Sequence, residues 1–120
     1  MSIYIINESN IMRHKITLPQ LKKYDITQKV IMALADAESR VILFSIIRRG
    51  KTASDLSVSL KIPLSSVYKK LSDLENLTLV RVEKTILSEK GRRFKVYRSR
   101  INKAEISIKK PEPTLSLSAN

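Results

Sequence analysis

A change in hydrophobic period near Leu79 restricts the fold of this chain more than any other feature. Upstream, apolar residues recur at helical spacing: Val30, Ile31 and Leu34, then a run from Val41 to Ile47, then Ala53, Leu56 and Leu60, then Val67, Leu71 and Leu74. Downstream, Val80 and Val82, and later Phe94 and Val96, alternate with polar residues on either side of Ser88-Glu89-Lys90-Gly91-Arg92-Arg93. That is the pattern of two half-buried strands joined by a turn. Helices first and a hairpin second make a mainly α domain with a β-hairpin attached, an α+β arrangement.

The helical part carries its own punctuation. Thr27 is placed to cap a short helix over 26–35, and Asp36 to cap the next. Between Glu38 and Arg49 the residues Val41, Ile42, Leu43, Phe44, Ile46 and Ile47 are too many for one stripe, so this helix should be covered on more than one side. The 26–35 helix and an N-terminal strand can supply that cover, and so can a second copy of the chain. Arg48-Arg49-Gly50 puts cations at the helix's negative pole and a glycine where a left-handed residue would end it. Thr52-Ala53-Ser54-Asp55 has the form of a capping box and starts a helix running to about Leu60. Lys61-Ile62-Pro63 interrupts it, because proline disfavours helix at the residue before it, and Ser65 can cap a further helix to Asn76. Helix, tight turn, helix and hairpin in that order form a winged helix-turn-helix.

Charge narrows the partner. The chain of 120 residues has a net charge of +12, which favours a polyanion or an acidic surface. Between Arg81 and Arg100, eight Lys or Arg (Arg81, Lys84, Lys90, Arg92, Arg93, Lys95, Arg98, Arg100) stand against Glu83 and Glu89, so the hairpin holds +6 of that excess. Cysteine is absent, which rules out disulfides and thiolate metal sites. His14 is the sole histidine; a metal needs several ligands, so it is read as a surface residue. No run of apolar residues approaches the roughly 20 that cross a bilayer, and Met1-Ser2-Ile3-Tyr4-Ile5-Ile6 lacks a basic stretch ahead of its apolar one. The expectation is a cytoplasmic protein with no membrane, cofactor or metal. No nucleophile–base pair, Gly-rich phosphate loop or convergent carboxylate cluster points to an enzyme.

On the 65–76 helix, Val67, Leu71 and Leu74 cluster on one side, while Ser65, Lys69 and Ser72 occupy the other, flanked by Ser66 and Tyr68. A helix fits the major groove, where hydroxyls and lysine can bond base edges. Tyr68 suits either packing or base contact, and Ser65 either a cap or a specificity residue.

Leu34-Ala35-Asp36, Arg40-Val41-Ile42-Leu43, Ser65-Ser66-Val67-Tyr68-Lys69-Lys70-Leu71, Leu74-Glu75 and Leu79-Val80-Arg81 together resemble the ArsR-type winged-helix transcription regulators, including their archaeal relatives, over roughly 28–100. The resemblance implies that Ser65, Ser66, Tyr68 and Lys69 face the major groove and that Lys90, Arg92 and Arg93 sit at the wing tip over the backbone or minor groove. It also implies a homodimer. The chain departs from the family in three places. Thr78 stands where a glycine is usual, the metal-sensing cysteines are missing, and Lys103-Ala104-Glu105-Ile106-Ser107-Ile108 reads as a strand where the family commonly has a dimerising helix.

The expected organisation is an N-terminal arm (1–25), a winged helix-turn-helix domain (26–101), and a C-terminal strand or extended tail (102–120) with little to form a core. The expected function is sequence-specific binding of double-stranded DNA in transcription regulation. Recognition helix 65–76 would lie in the major groove and the basic wing 84–98 on the backbone, with contacts from Thr52, Ser65, Ser66, Tyr68, Lys69, Ser72, Lys90, Arg92 and Arg93. The alternative is a protein-interaction module of a larger assembly; structured RNA is disfavoured by two Phe, four Tyr and no Trp.

Overall fold

Asp36 divides what would otherwise be one long helix. In the computed structural model, which describes the backbone of residues 2–6, 11–15 and 21–120 and the side chains of 26–120, helix α1 (Leu21–Ala35) ends just before it and α2 (Ala37–Ser45) begins just after. The Asp36 backbone is extended, and its carboxylate accepts from the Ser39 amide at 3.0 Å and the Ser39 hydroxyl at 2.8 Å. Arg40 reaches back to the Leu34 carbonyl at 2.7 Å, so the end of α1 and the start of α2 are closed by neighbouring side chains. Thr27 does not cap: α1 starts earlier, at Leu21, and Thr27 lies buried within it.

Helix α2 stops at Ser45, short of the expected Arg49, for a tertiary reason. The Ile46 carbonyl accepts from the Ser99 amide at 3.0 Å, and the Ile47 carbonyl accepts from Arg98 Nε at 2.8 Å and Asn120 Nδ2 at 2.9 Å. Those acceptors are taken by other elements, and Arg48 and Arg49 fall outside the helix. Gly50 is not left-handed either; Gly91 is the only glycine with positive φ. At Gly50 a Cβ would meet the Glu83 carboxylate, stand 2.7 Å from Val96 Cγ1 and 3.2 Å from the Tyr97 carbonyl. Glycine is needed there for close approach to a strand.

Strand β3 (Lys51–Thr52) follows, then α3 (Ala53–Leu60) and α4 (Leu64–Asn76). Strands β4 (Val80–Leu87) and β5 (Arg93–Ser99) form the expected hairpin, and β3 adds to it in the order β3-β5-β4, all antiparallel. A second sheet joins β1 (Ser2–Ile6), β2 (Ile11–Lys15), β6 (Ile101–Ser107) and β7 (Thr114–Ala119) in the order β2-β1-β7-β6. There β1 and β7 run parallel and the other neighbours antiparallel. The described residues of the expected arm thus supply β1, β2 and the start of α1; the His14 side chain lies outside the described residues. The expected tail, 102–120, supplies most of β6 and all of β7, and Leu115, at 1% exposure, belongs to the core. Its Leu-Ser alternation places Leu115 and Leu117 toward that core.

Among the described residues the fold is mixed, with four helices and two sheets. One core spans both helices and sheets: Val30 and Leu34, Ile42, Leu43 and Ile46, Ala53 and Leu56, Val67, Leu71 and Leu74 meet Val80, Tyr97, Ile101 and Leu115. No described helix is long and apolar enough to cross a membrane.

Candidate nucleic-acid interface

Two left-handed residues set the geometry around α4. Lys61, at φ 56°, ends α3 with the Ile62 amide bonded to the Ser57 carbonyl at 3.2 Å. The Ser57 hydroxyl closes the turn on the Ile62 carbonyl at 2.6 Å. Thr78, at φ 62°, ends α4 with its own amide on the Glu75 carbonyl and the Leu79 amide on the Leu74 carbonyl, both at 2.9 Å. This paired pattern usually relies on glycine at the left-handed position. Thr78 therefore adopts the conformation that its polar, β-branched side chain opposes.

Pro63, not Ser65, precedes the first helical residue of α4, and no side chain caps that end. The fixed φ of proline suits a helix start, and Val67 bonds the Pro63 carbonyl at 3.0 Å. Ser65 is therefore an exposed residue of the first turn.

The two faces of α4 are sharply divided. Val67 and Leu71 are fully buried and Leu74 nearly so. Opposite them Ser65, Lys69 and Ser72 are exposed, Tyr68 is half-exposed at 49%, and Ser66 is partly buried. Lys70, beside Lys69 in sequence, points elsewhere: its ammonium meets the Asp36 carboxylate at 2.7 Å and Glu38 at 3.7 Å. Lys69 has no ion-pair partner among the described residues. Tyr97 of β5 connects this helix to the hairpin; burial pushes its phenol pKa up, with help from the nearby Glu75 carboxylate and Tyr68 of α4.

At the hairpin end the loop Glu89-Lys90-Gly91 is closed by Ser88 and Arg92. The Ser88 amide bonds the Arg92 carbonyl at 2.8 Å, and the Ser88 hydroxyl accepts from the Arg92 amide at 3.0 Å. Gly91, at φ 77°, supplies the left-handed residue that such a loop needs. Lys90, Arg92 and Arg93 are all exposed there.

Thr52 is occupied locally: its hydroxyl caps α3 by accepting from the Asp55 amide at 3.1 Å. It also lines an open cleft of about 730 Å³ between the Arg48–Thr52 segment, α3 and the hairpin. Arg48, Arg49, Lys51 and Lys84 line the cleft without ion-pair partners among the described residues, whereas Arg98 is tied to Glu83 at 3.0 Å. Sequence reading assigned Arg48 and Arg49 to a helix end and so missed this cationic cleft. The signal available was Gly50 between cations, which marks a close approach rather than a cap. The expected contacts thus fall on three elements: Ser65, Ser66, Tyr68, Lys69 and Ser72 on α4, Lys90, Arg92 and Arg93 on the hairpin end, and Thr52 beside the cleft.

No family model, curated protein or solved structure matches this chain.

Proposed function

We propose that the chain is a winged helix-turn-helix domain that binds double-stranded DNA sequence-specifically and regulates transcription, as its ArsR-type resemblance suggests. The observation that carries the reading is the division of α4. One face is buried in the core, and the other presents hydroxyls, a phenol and an unpaired lysine to solvent. Such a helix can enter a major groove, where Ser65, Ser66, Tyr68, Lys69 and Ser72 meet base edges. The exposed cations Lys90, Arg92 and Arg93 then meet phosphates, which position the domain without reading sequence. The cleft cations beside Thr52 add further phosphate contacts.

Selection of bound duplexes from a random pool at near-physiological salt tests this reading. A specific regulator enriches a motif that it binds about a thousandfold more tightly than scrambled DNA. With about five phosphates neutralised, log affinity falls with log salt at a slope near −4.5. Lys69→Ala relaxes specificity, whereas Arg92→Ala with Arg93→Ala weakens all duplexes alike. Equal binding to scrambled DNA, hairpin RNA and the selected motif would refute sequence-specific reading.

One observation favours a second reading, a protein-docking module. Ile86 and Leu87 on β4, an outer strand of its sheet, are 44% and 67% exposed. An acidic partner that displaces every duplex would select this reading.

A further inference from the structure

The cleft beside Thr52 holds more than cations. Register builds its floor. Val96 of β5 pairs with Thr52 on one side and with Lys84 on the other, and Phe94 pairs with Ile86 two residues further along. Residues two apart on a strand share a face, so Thr52, Val96, Lys84 and Ile86 lie on one side of the smaller sheet, and all four line the cleft. The 48–51 segment forms one wall and α3 the other, through Asp55, Val58 and Ser59. Arg98 and Glu83 are paired with each other. The charges that remain are Arg48, Arg49, Lys51 and Lys84 against Asp55, an excess of +3. In the same space Val58 and Ile86 are 80% and 44% exposed.

We propose that this cleft is a binding site for a nucleoside polyphosphate. Its volume, about 730 Å³, lies within the roughly 300–1,000 Å³ of small-molecule sites. Each part of such a ligand answers one feature of the cleft. The phosphates meet Arg48 and Arg49, whose planar forks match phosphate oxygens, and Lys51 and Lys84 as point charges. The base covers Val58 and Ile86, whose apolar surface gains nothing from an anion and is stabilised by burial under a flat ring. The ribose hydroxyls donate to Asp55. That carboxylate has no ion-pair partner among the described residues, and against a bare polyanion it would only repel. An inorganic polyphosphate uses the cations and leaves the apolar wall and the carboxylate unanswered. Duplex phosphates that reach the cleft meet the same cations, so nucleotide and DNA each weaken the other there. Only this last coupling rests on the DNA reading; the nucleotide site does not.

Isothermal titration calorimetry on the full chain, without DNA or divalent cations and at about 0.15 M salt, provides the test. ATP, GTP, CTP and UTP are each compared with inorganic tripolyphosphate. At least one nucleotide binds at a single site about tenfold or more tightly than tripolyphosphate, because only the nucleotide covers the apolar wall. Arg48→Ala with Arg49→Ala weakens both kinds of ligand roughly tenfold or more, and Lys84→Ala alone weakens both to a lesser extent. Val58→Ser weakens the nucleotide several-fold and leaves tripolyphosphate unchanged. Lys109→Ala with Lys110→Ala, which removes as much charge from the connection between β6 and β7, changes neither. Arg48, Arg49, Val58 and Lys84 are all exposed, so the variants keep their fold, which circular dichroism checks. If no nucleotide bound more tightly than tripolyphosphate, the cleft would be a cationic patch only and the proposal would be overturned. A Lys109 and Lys110 variant that lost as much affinity as the Arg48 and Arg49 variant would overturn it too, since net charge and not the cleft would then set binding. None of these readouts involves DNA, so a failure of duplex binding and a failure of this site remain distinct.

Discussion

Asp36 joins three helices through one carboxylate, and its titration should be visible in the stability of the whole domain. It separates α1 from α2, caps α2, and receives Lys70 from α4 at 2.7 Å. The hydrogen bond from Lys70, followed by those from the Ser39 hydroxyl and amide, holds its pKa down from 3.8 to about 2. An acid whose pKa is lowered by folding contributes stability that is complete above its unfolded value and lost as pH falls through the folded one. The window here is about pH 4 to 2. A fall of that size corresponds to at most about 2.5 kcal/mol. The Asp36 side chain is 41% exposed, and solvent screening reduces this to about 1 kcal/mol. Lys70 is raised by the same contact; this is the other side of one ion pair, which dissolves when Asp36 is protonated in acid and when Lys70 is deprotonated at strongly alkaline pH.

Urea unfolding of wild type, Asp36→Asn and Lys70→Met from pH 6 to pH 2 reads this directly. Asparagine remains a good cap, so Asp36→Asn isolates the charge. It should lie about 1 kcal/mol below wild type at pH 6 and converge with it near pH 2. Lys70→Met keeps the cap but lets the carboxyl rise, and should shrink the same acid-dependent step. If the gap between Asp36→Asn and wild type stayed constant from pH 6 to pH 2, the carboxylate would not be the titrating joint and the reasoning would fail.

Other substitutions probe the backbone and the tail. Thr78→Gly should relieve the left-handed threonine and raise stability by roughly 0.5–1 kcal/mol in thermal unfolding; an unchanged or lower midpoint would contradict the strain. Gly50→Ala drives a methyl against Glu83 of β4 and Val96 of β5 and should destabilise by about 1–3 kcal/mol in the same assay, whereas a neutral result would mean that Val96 and Glu83 move aside freely. Leu115→Ala should cost about 2–5 kcal/mol in urea unfolding, and a loss below about 0.5 kcal/mol would show that the tail does not belong to the core.

The elements with local signals were legible. Asp36 and Thr52 cap as their side chains suggest, the period change at Leu79 marks the hairpin, and the Val67, Leu71 and Leu74 stripe faces the core. What escaped depends on partners distant in sequence. Just past α2 the carbonyls of Ile46 and Ile47 are taken by Ser99, Arg98 and Asn120, and no pattern around Ile46 encodes that. Strand β3 is only two residues long and exists through its register with Tyr97 and Val96. Leu115 looked too isolated to join a core because β1 and β6, which flank its strand, lie at opposite ends of the chain.

The same distinction governs the candidate interface, because a count of cations treats structural and free charges alike. Lys69 and Lys70 are neighbours, yet one faces solvent and the other binds Asp36. Arg40 closes α1 through the Leu34 carbonyl, and Arg98 is held by Ile47 and Glu83. These three cations hold the fold together, and moving any of them to a phosphate would break an internal contact. Lys69, Lys90, Arg92 and Arg93, with the cleft residues Arg48, Arg49, Lys51 and Lys84, carry no such ties among the described residues. Salt sensitivity should therefore follow the free cations that meet the polyanion and not the three that are tied. Lys69→Ala lowers the salt slope by about one if that lysine meets a phosphate and leaves it unchanged if it meets only a base. Lys70→Ala, which removes the same formal charge one position away, should alter stability and leave the slope intact.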